Sequence, residues 1–167
     1  MKAVFASLAA LAVVGAAPAS VGSGGVTVVV PKGWQALPQS APPPGMRVDE
    51  PVTRIVVASA PIDFGKGCND LDYAFSSTAV ALVVVEWVRP TPGARFAPRP
   101  RRFMPTTLPV LKPPAIECFD GPGGSVQFAD HGRRFAAYIL LGRRAPPRLA
   151  ERARAVLDTL KVTRPGN

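Results

Sequence analysis

The fold is decided by the stretch TAVALVVVEWV at residues 78–88, the most hydrophobic segment after the first twenty residues. Apolar residues follow one another here without the alternation that a half-exposed strand would show. An unbroken run of this kind is typical of a central strand buried on both faces. Glu86 and Trp87 are expected to mark its exit towards solvent. The run therefore predicts the central strand of a sheet.

Shorter β-branched or alternating segments predict the neighbouring strands. In residues 125–141, two alternating runs flank Asp130-His131-Gly132, which predicts a hairpin with a three-residue loop and a left-handed Gly132. Phe135, Ala137, Ile139 and Leu141 are expected on one face of the returning strand. Further strands are expected at 26–30, 52–60, 116–119 and, as a short edge strand, 106–110.

A helix is predicted at residues 146–160, with Pro147 in its first turn. One apolar stripe runs along it at helical spacing, formed by Leu149, Ala153, Val156, Leu157 and Leu160. Arg154 and Asp158 are spaced for an i, i+4 ion pair. Strands first and a helix last predict an α+β domain. We expect an antiparallel sheet of about five to seven strands, with a C-terminal amphipathic helix packed on one face.

The segments between the apolar runs predict loops. Residues 23–25 are expected to form a flexible lead-in and residues 35–50 a proline-rich extended loop. Residues 61–72 are rich in turn formers, and Asn69 is placed to cap a short helical turn through Phe75. Residues 89–114 hold too many prolines for a helix or an inner strand and predict a long loop, here called the basic loop.

The N-terminus predicts export. Lys2 precedes an apolar run at residues 4–14, and Ala17-Pro18-Ala19 is a small-x-small cleavage pattern, so residues 1–19 have the form of a signal peptide. The mature chain, 20–167, is one domain's length. We expect a secreted, periplasmic or otherwise extracytoplasmic protein, without a transmembrane segment in the mature chain because no later apolar run is long enough.

Cys68 and Cys118 are the chain's two cysteines. In an exported protein they predict one disulfide, which would close a loop of about 50 residues and tether the basic loop between the two cysteines. The alternative is a metal site that adds His131, but neither cysteine belongs to a Cys-x-x-Cys pair and a lone histidine adds no second ligand at helical spacing. We therefore expect a disulfide, no metal and no cofactor.

Positive charge is concentrated in the basic loop. The formal charge is +9, and six of the positive residues lie between Arg89 and Lys112 with no acid among them. Arginines offer bidentate contacts to phosphate or carboxylate, so the candidate anion-binding residues are Arg95, Arg99, Arg101 and Arg102. An anionic envelope polymer, a lipid headgroup or a partner protein would fit; nucleic acid is not favoured because no recognised motif accompanies the loop. The alternative is that Phe96 and Phe103 pin the loop to the domain and its arginines are simply solvated.

Catalytic patterns are weak. Asp130 and His131 lie side by side on a predicted turn, where they act as turn formers more readily than as part of a triad. Glu86 and Glu117 could form a carboxylate pair only if the fold brought them together. The sequence therefore predicts no catalytic residue and favours a non-enzymatic binding module; the alternative is a small extracytoplasmic hydrolase with an unidentified site.

A third class of function is a structural partner domain with an exposed apolar sheet face. Ala136, Tyr138 and Leu140 leave the second face of the strand at 134–141 apolar as well. Such a face would be expected to dock onto another protein.

Several motifs between residues 50 and 162 resemble those of small secreted bacterial proteins of unknown function. They are Pro98-Arg99-Pro100 with Phe103, Glu117-Cys118-Phe119, residues 128–135, Leu141-Gly142 and residues 156–162. The turn Pro31-Lys32-Gly33-Trp34, with a late helix on an antiparallel sheet, is also similar to the PsbP/Mog1-like fold. These resemblances imply a fold and an extracytoplasmic location, and they imply no catalytic residue.

Overall fold

The computed structural model describes residues 19–38, 51–64, 73–89, 95–105 and 121–164. These residues form one helix and eleven strands. In chain order they are β1 Ala19–Ser23, β2 Val26–Val30, β3 Gln35–Pro38, β4 Val52–Ala58, β5 Ile62–Phe64, β6 Tyr73–Phe75, β7 Val80–Glu86, β8 Ala97–Pro98, β9 Gly123–Asp130, β10 Arg133–Leu141, α1 Pro147–Asp158 and β11 Lys161–Val162. Among the described residues, no helix has the length and apolar character needed to cross a bilayer.

A six-stranded sheet in the order β3-β4-β7-β10-β9-β8 forms the centre of the fold. All its neighbours are antiparallel except β8, which runs parallel to β9 at the edge. A three-stranded sheet, β1-β2-β11, and the helix α1 contribute to the core on one face of this sheet. The predicted α+β class, the antiparallel sheet and the C-terminal helix are confirmed.

Strand β7 is the buried central strand that the apolar run predicts. Every residue from Val80 to Glu86 is buried, because β4 and β10 pair with its two edges and apolar layers cover both faces. Burial of this length of Val and Leu side chains favours folding by roughly 1.5–3 kcal/mol for each side chain. Glu86, however, does not exit to solvent: it is only 7% exposed.

The helix α1 buries the stripe predicted for it. Ala153, Val156 and Leu157 are fully or almost fully buried, and Leu149 packs against the same core. Pro147 lies in the first turn, where its missing N–H has no intrahelical partner to lose. Asp158 does not pair with Arg154 as predicted. Its Oδ1 instead accepts a hydrogen bond of 2.8 Å from the backbone N–H of Phe103.

Two hairpins depart from the expected loops. The turn between β9 and β10 has two residues, His131 and Gly132, rather than three, and both have positive φ (50° and 76°). Gly24 and Gly25 also have positive φ and join β1 to β2, so residues 23–25 are a tight turn and not a flexible lead-in. Positive φ at both central residues is the mark of a type I′ turn, whose twist matches that of paired strands.

Two short segments contradict the expectation from sequence, and a third strand forms where none was predicted. Gln35–Pro38, expected as loop, is the edge strand β3. Tyr73–Phe75, expected as the end of a helical turn, pairs with Ile62–Phe64 in a two-stranded sheet. Lys161–Val162 pairs with β2 just after the helix. The predicted strands at 106–110 and 116–119, Asn69, Cys68, Cys118 and Glu117 lie outside the described residues, as does most of the predicted signal peptide.

The second face of the six-stranded sheet is covered. Ala136 and Leu140 are completely buried, in one cluster with Val56, Val83 and other residues of β4 and β7. Tyr138 packs against this cluster, and burial raises the pKa of its phenol. The exposed apolar face expected of a structural partner domain is therefore absent at these positions.

Candidate functional site

The described part of the basic loop, residues 95–105, is fixed along the edge of the sheet. Ala97–Pro98 pairs in parallel with β9, and the backbone N–H of Arg99 donates to the carbonyl of Ala129 at 2.9 Å. An edge position suits proline, which has no N–H to offer to a ladder. The proline-rich sequence therefore follows the sheet instead of leaving it.

Phe103 anchors the end of this segment in the core. Its side chain is 3% exposed, and its ring meets Phe128 edge-on with 5.3 Å between centroids. The bond from its backbone N–H to Asp158 ties the same residue to α1. Phe96 is half-buried. Phe103 thus pins the loop to the domain, as expected in the alternative in which Phe96 and Phe103 anchor it.

The four candidate arginines fall into two groups. Arg99 Nη1 lies 3.1 Å from Asp130 Oδ2, and its guanidinium lies 5.9 Å from the centroid of the Phe103 ring, so Arg99 has a structural role. Arg95, Arg101 and Arg102 are exposed, and none pairs with an acid among the described residues. The exposed three remain available to an anion.

A shallow depression of about 600 Å³ lies beside two of these arginines, Arg99 and Arg101. The loop contributes Arg99 and Arg101, the hairpin tip contributes Asp130 and His131, and the segment after the helix contributes residues 160–163. Lys161 adds a further positive charge at the wall. The negative charge of Asp130 is already paired with Arg99, so Arg101 and Lys161 leave this depression with an excess of positive charge.

A second group of charges lies at the end of the sheet where β7 stops. Arg133 binds both carboxylate oxygens of Glu86, with Nε–Oε1 and Nη2–Oε2 distances of 2.7 Å. Arg54 Nε donates to Oε2 at 2.7 Å as well. These three side chains are here called the Glu86 cluster. Bidentate pairing of this kind is what allows a carboxylate to be buried.

Local backbone features place the two arginines of the Glu86 cluster. The pairing of β4 with β7 shifts between Thr53 and Ile55, so Arg54 lies at a β-bulge, a feature that re-aims a side chain. Ser23 Oγ donates to the carbonyl of Arg54 at 3.0 Å. Arg133 is the first residue after the His131-Gly132 turn, and its Nη2 also donates to the carbonyl of Gly24 at 2.8 Å.

The Gly24-Gly25 turn closes over the Glu86 cluster. A Cβ at Gly24 would come within 2.7 Å of Arg54 Nη1, and one at Gly25 would clash with Thr163 Oγ1. At both positions a side chain would adopt a positive φ and would also displace the end of a neighbouring side chain, so glycine is favoured on both counts. The turn can approach the arginines only because it carries no side chains.

The arginines also govern the charge state of Glu86. Burial alone would raise the pKa of its carboxyl, but the hydrogen bonds and charges of Arg133 and Arg54 outweigh this effect and lower the pKa below its usual value. Glu86 is therefore a stable anion at neutral pH. It is not suited to act as a general acid.

Beside the Glu86 cluster lies a pocket of about 470 Å³, here called the Glu86 pocket. Gly24, Gly25 and Gly132 line it from the two turns, and Trp87 and Val88 from the end of β7. Its charged lining consists of Glu86, Arg54, Arg133, Arg134 and Arg164. The sequence did not predict this site because Arg54, the adjacent Arg133 and Arg134, and Arg164 are far apart in the chain, and because Glu86 was expected to face solvent.

Groups for acid–base or nucleophilic catalysis do not converge in the described residues. Asp130 Oδ1 lies 2.7 Å from His131 Nδ1, which is the orienting contact of a triad. Thr163 provides the one hydroxyl that lines the depression beside Asp130 and His131. This hydroxyl is already engaged, because it donates to the carbonyl of Gly25 at 3.2 Å. No three His, Cys, Asp or Glu residues among those described are grouped to hold a metal ion.

No protein-family model matches this chain, and no curated protein or solved structure matches it either. The resemblances to small secreted bacterial proteins and to the PsbP/Mog1-like fold therefore stay predictions. The proposal below therefore rests on the geometry of the basic loop and of the depression beside it.

Proposed function

We propose that the chain is an exported, non-enzymatic binding module that holds an anionic polymer of the cell envelope on its basic loop. The observation that carries this proposal is the fixed presentation of Arg101 and Arg102. They are exposed and unpaired with acids among the described residues, yet they stand between two anchors, the Arg99–Asp130 pair and the buried Phe103.

Anchoring favours binding in physical terms. An interface that orders a flexible loop loses conformational entropy on association, whereas a loop already held by the core loses little. Prolines at 98 and 100 restrict the backbone further. A polymer with repeated negative charge suits this surface better than a small ion, because the depression is shallow and lined by Arg101 and Lys161, while Arg95 and Arg102 are exposed elsewhere on the basic loop.

Export is part of the proposal and is supported by the pattern of residues 1–19. Cleavage after Ala19 would keep Ser20–Ser23 of β1 paired with β2. A disulfide between Cys68 and Cys118 is likewise proposed. Thiol titration of the mature, unreduced protein is expected to find no free thiol; two titratable thiols would contradict the disulfide.

A hydrolase has less support. Glu86 is engaged by two arginines, and the Asp130–His131 pair has no free hydroxyl or thiol beside it in the described residues. Turnover of ester or glycoside substrates that is lost in a His131→Ala variant would establish this alternative instead.

The proposal is tested by binding of the mature protein to dextran sulfate, with neutral dextran as the reference. We expect retention on dextran sulfate that weakens as salt is raised, and none on dextran. The variant Arg101→Gln/Arg102→Gln should lose most of the retention. Its matched control is Arg148→Gln/Arg154→Gln, which removes the same charge from the helix α1. Neither residue lines the depression beside the basic loop or the Glu86 pocket.

Three outcomes would contradict the proposal. Equal retention on both polymers would show that charge is not recognised. Equal loss in the loop variant and the helix variant would show that only net charge matters. Binding to vesicles of phosphatidylglycerol without binding to dextran sulfate would assign the surface to a membrane instead. Arg99 is left unchanged because its pairing with Asp130 positions the loop.

A further inference from the structure

The Glu86 pocket carries more positive charge than its own carboxylate can neutralise. Four arginines, Arg54, Arg133, Arg134 and Arg164, line it beside one acid, Glu86, which leaves three positive charges in excess. Arg134 and Arg164 have no acidic partner among the described residues. A cleft lined mainly by one sign of charge concentrates ligands of the opposite sign.

The hydrogen-bond donors of the Glu86 pocket are only partly used. Arg133 donates to Glu86, Gly24 and Thr163 and so uses four of the five N–H donors of its guanidinium. Arg54 uses Nε alone and donates from neither Nη to another described residue. The Nη groups of Arg54 therefore carry N–H donors that no described residue uses and that can bind a phosphate or carboxylate oxygen.

The pocket is also organised before any ligand arrives. Arg54 is held by Glu86 at 2.7 Å, and the glycine turn that approaches it leaves room for no other side chain. Side-chain entropy that a surface arginine would lose on binding is therefore already lost in the fold. This distinguishes the Glu86 pocket from a chance cluster of solvated arginines.

Its volume and apolar wall indicate a ligand larger than a bare ion. About 470 Å³ falls within the roughly 300–1,000 Å³ typical of small-molecule sites. Trp87 and the largely exposed Val88 line the same pocket and provide apolar surface for an organic group. The indole Nε1 of Trp87 is buried and has no acceptor in the described part of the chain.

We propose that the Glu86 pocket binds a small phosphate monoester, with the phosphate facing Arg54 and Arg164 and the organic group against Trp87. A phosphate monoester is mainly a dianion at neutral pH, since its second pKa is about 6. A dianion neutralises more of the excess positive charge of the pocket than a monoanion does. The pocket shares no arginine with the basic loop. The inference therefore does not depend on the polymer-binding proposal.

The test is titration of the mature, isotope-labelled protein with phenyl phosphate, followed by NMR of the tryptophan indole N–H signals at constant ionic strength. We expect a saturable shift of the Trp87 signal. Phenyl sulfate has nearly the same shape but a single charge, and we expect it to bind about tenfold more weakly. Equal affinity for the two probes, or no saturable shift with phenyl phosphate, would overturn the proposal.

Variants separate this pocket from general basicity. Arg54→Gln/Arg164→Gln should weaken phenyl phosphate binding by about tenfold or more, whereas Arg101→Gln/Arg102→Gln and Arg148→Gln/Arg154→Gln should stay within about twofold of the unsubstituted protein. If the first variant fails to fold, Arg164→Gln alone serves, because this side chain is exposed. Equal weakening in all three variants would refute a specific site. If Arg101→Gln/Arg102→Gln is the one variant that loses binding to dextran sulfate, this result supports the polymer proposal. It has no bearing on the Glu86 pocket.

Discussion

Arg133 holds Glu86 by both carboxylate oxygens, and each of the two nitrogen–oxygen distances is 2.7 Å. The same guanidinium donates to the carbonyls of Gly24 and Thr163. One side chain thus joins the central strand β7 to the β1–β2 turn and to the segment after β11. Glu86 can be buried at a strand end because this contact replaces the water it loses.

Removing Arg133 should therefore destabilise the fold. Arg133→Ala leaves Glu86 with Arg54 alone, and breaking a buried ion pair by removing one partner costs about 3–5 kcal/mol; we expect the lower end because Arg54 remains. Urea unfolding measures this loss. The exposed Arg148→Ala should change the free energy of unfolding by less than about 0.5 kcal/mol. Equal values for the two variants would show that the Glu86 cluster contributes nothing specific.

Acid should weaken the protein through Glu86. Because the folded state lowers the pKa of this carboxyl, its contribution to stability is complete above the unfolded value of about 4.5 and is lost as the pH falls through the folded pKa. Unfolding free energies measured from neutral to acidic pH should fall in that window. Glu86→Gln is expected to be less stable at neutral pH and to lose less on acidification. An unchanged acid limb in Glu86→Gln would contradict the assignment.

Each of the two type I′ turns contains a glycine with positive φ, and the two differ in the space around them. Gly132 has positive φ but open space around it, so Gly132→Ala should cost about 1–2 kcal/mol from backbone strain alone. Gly24 combines positive φ with the close approach of Arg54, so Gly24→Ala should cost more. Thermal unfolding of both variants checks the order. A smaller loss at Gly24 would mean that Arg54 moves away without cost.

Phe103 should prove to be the anchor of the basic loop. Phe103→Ala removes a nearly buried ring from its edge-on contact with Phe128 and should cost about 3–5 kcal/mol. Arg102→Ala, one position earlier and exposed, should be nearly neutral for stability. Hydrogen exchange at the Arg99 amide, which bonds to Ala129, should rise in Phe103→Ala. Unchanged protection would contradict the anchoring role.

The elements that could be predicted from the sequence are those with long, regular apolar patterns. The run in β7 is apolar at every position, so it fits only a strand that is buried on both faces. The helix α1 is apolar on one face only, so that face must pack on the core. The β9–β10 hairpin followed from alternation. Its turn was one residue shorter than expected because His131 adopts a positive φ that the sequence assigns to Gly132 alone.

Short elements could not be predicted because their partners are distant. Gln35–Pro38 and Lys161–Val162 become strands only when β4 and β2 offer free edges. The same holds for the Glu86 cluster, whose members come from β4, β7 and β10 and meet through sheet register and one bulge. The exposed arginines of the basic loop, in contrast, were evident as a local concentration of charge.

The most direct test of the central claim is the salt dependence of dextran sulfate binding, measured for the mature protein and for Arg101→Gln/Arg102→Gln. We expect the logarithm of the affinity to fall with the logarithm of the salt concentration, and to fall less steeply in the variant because fewer counterions are displaced from the polymer. Identical slopes for the two proteins, with identical affinities, would show that the anchored arginines are not the contact.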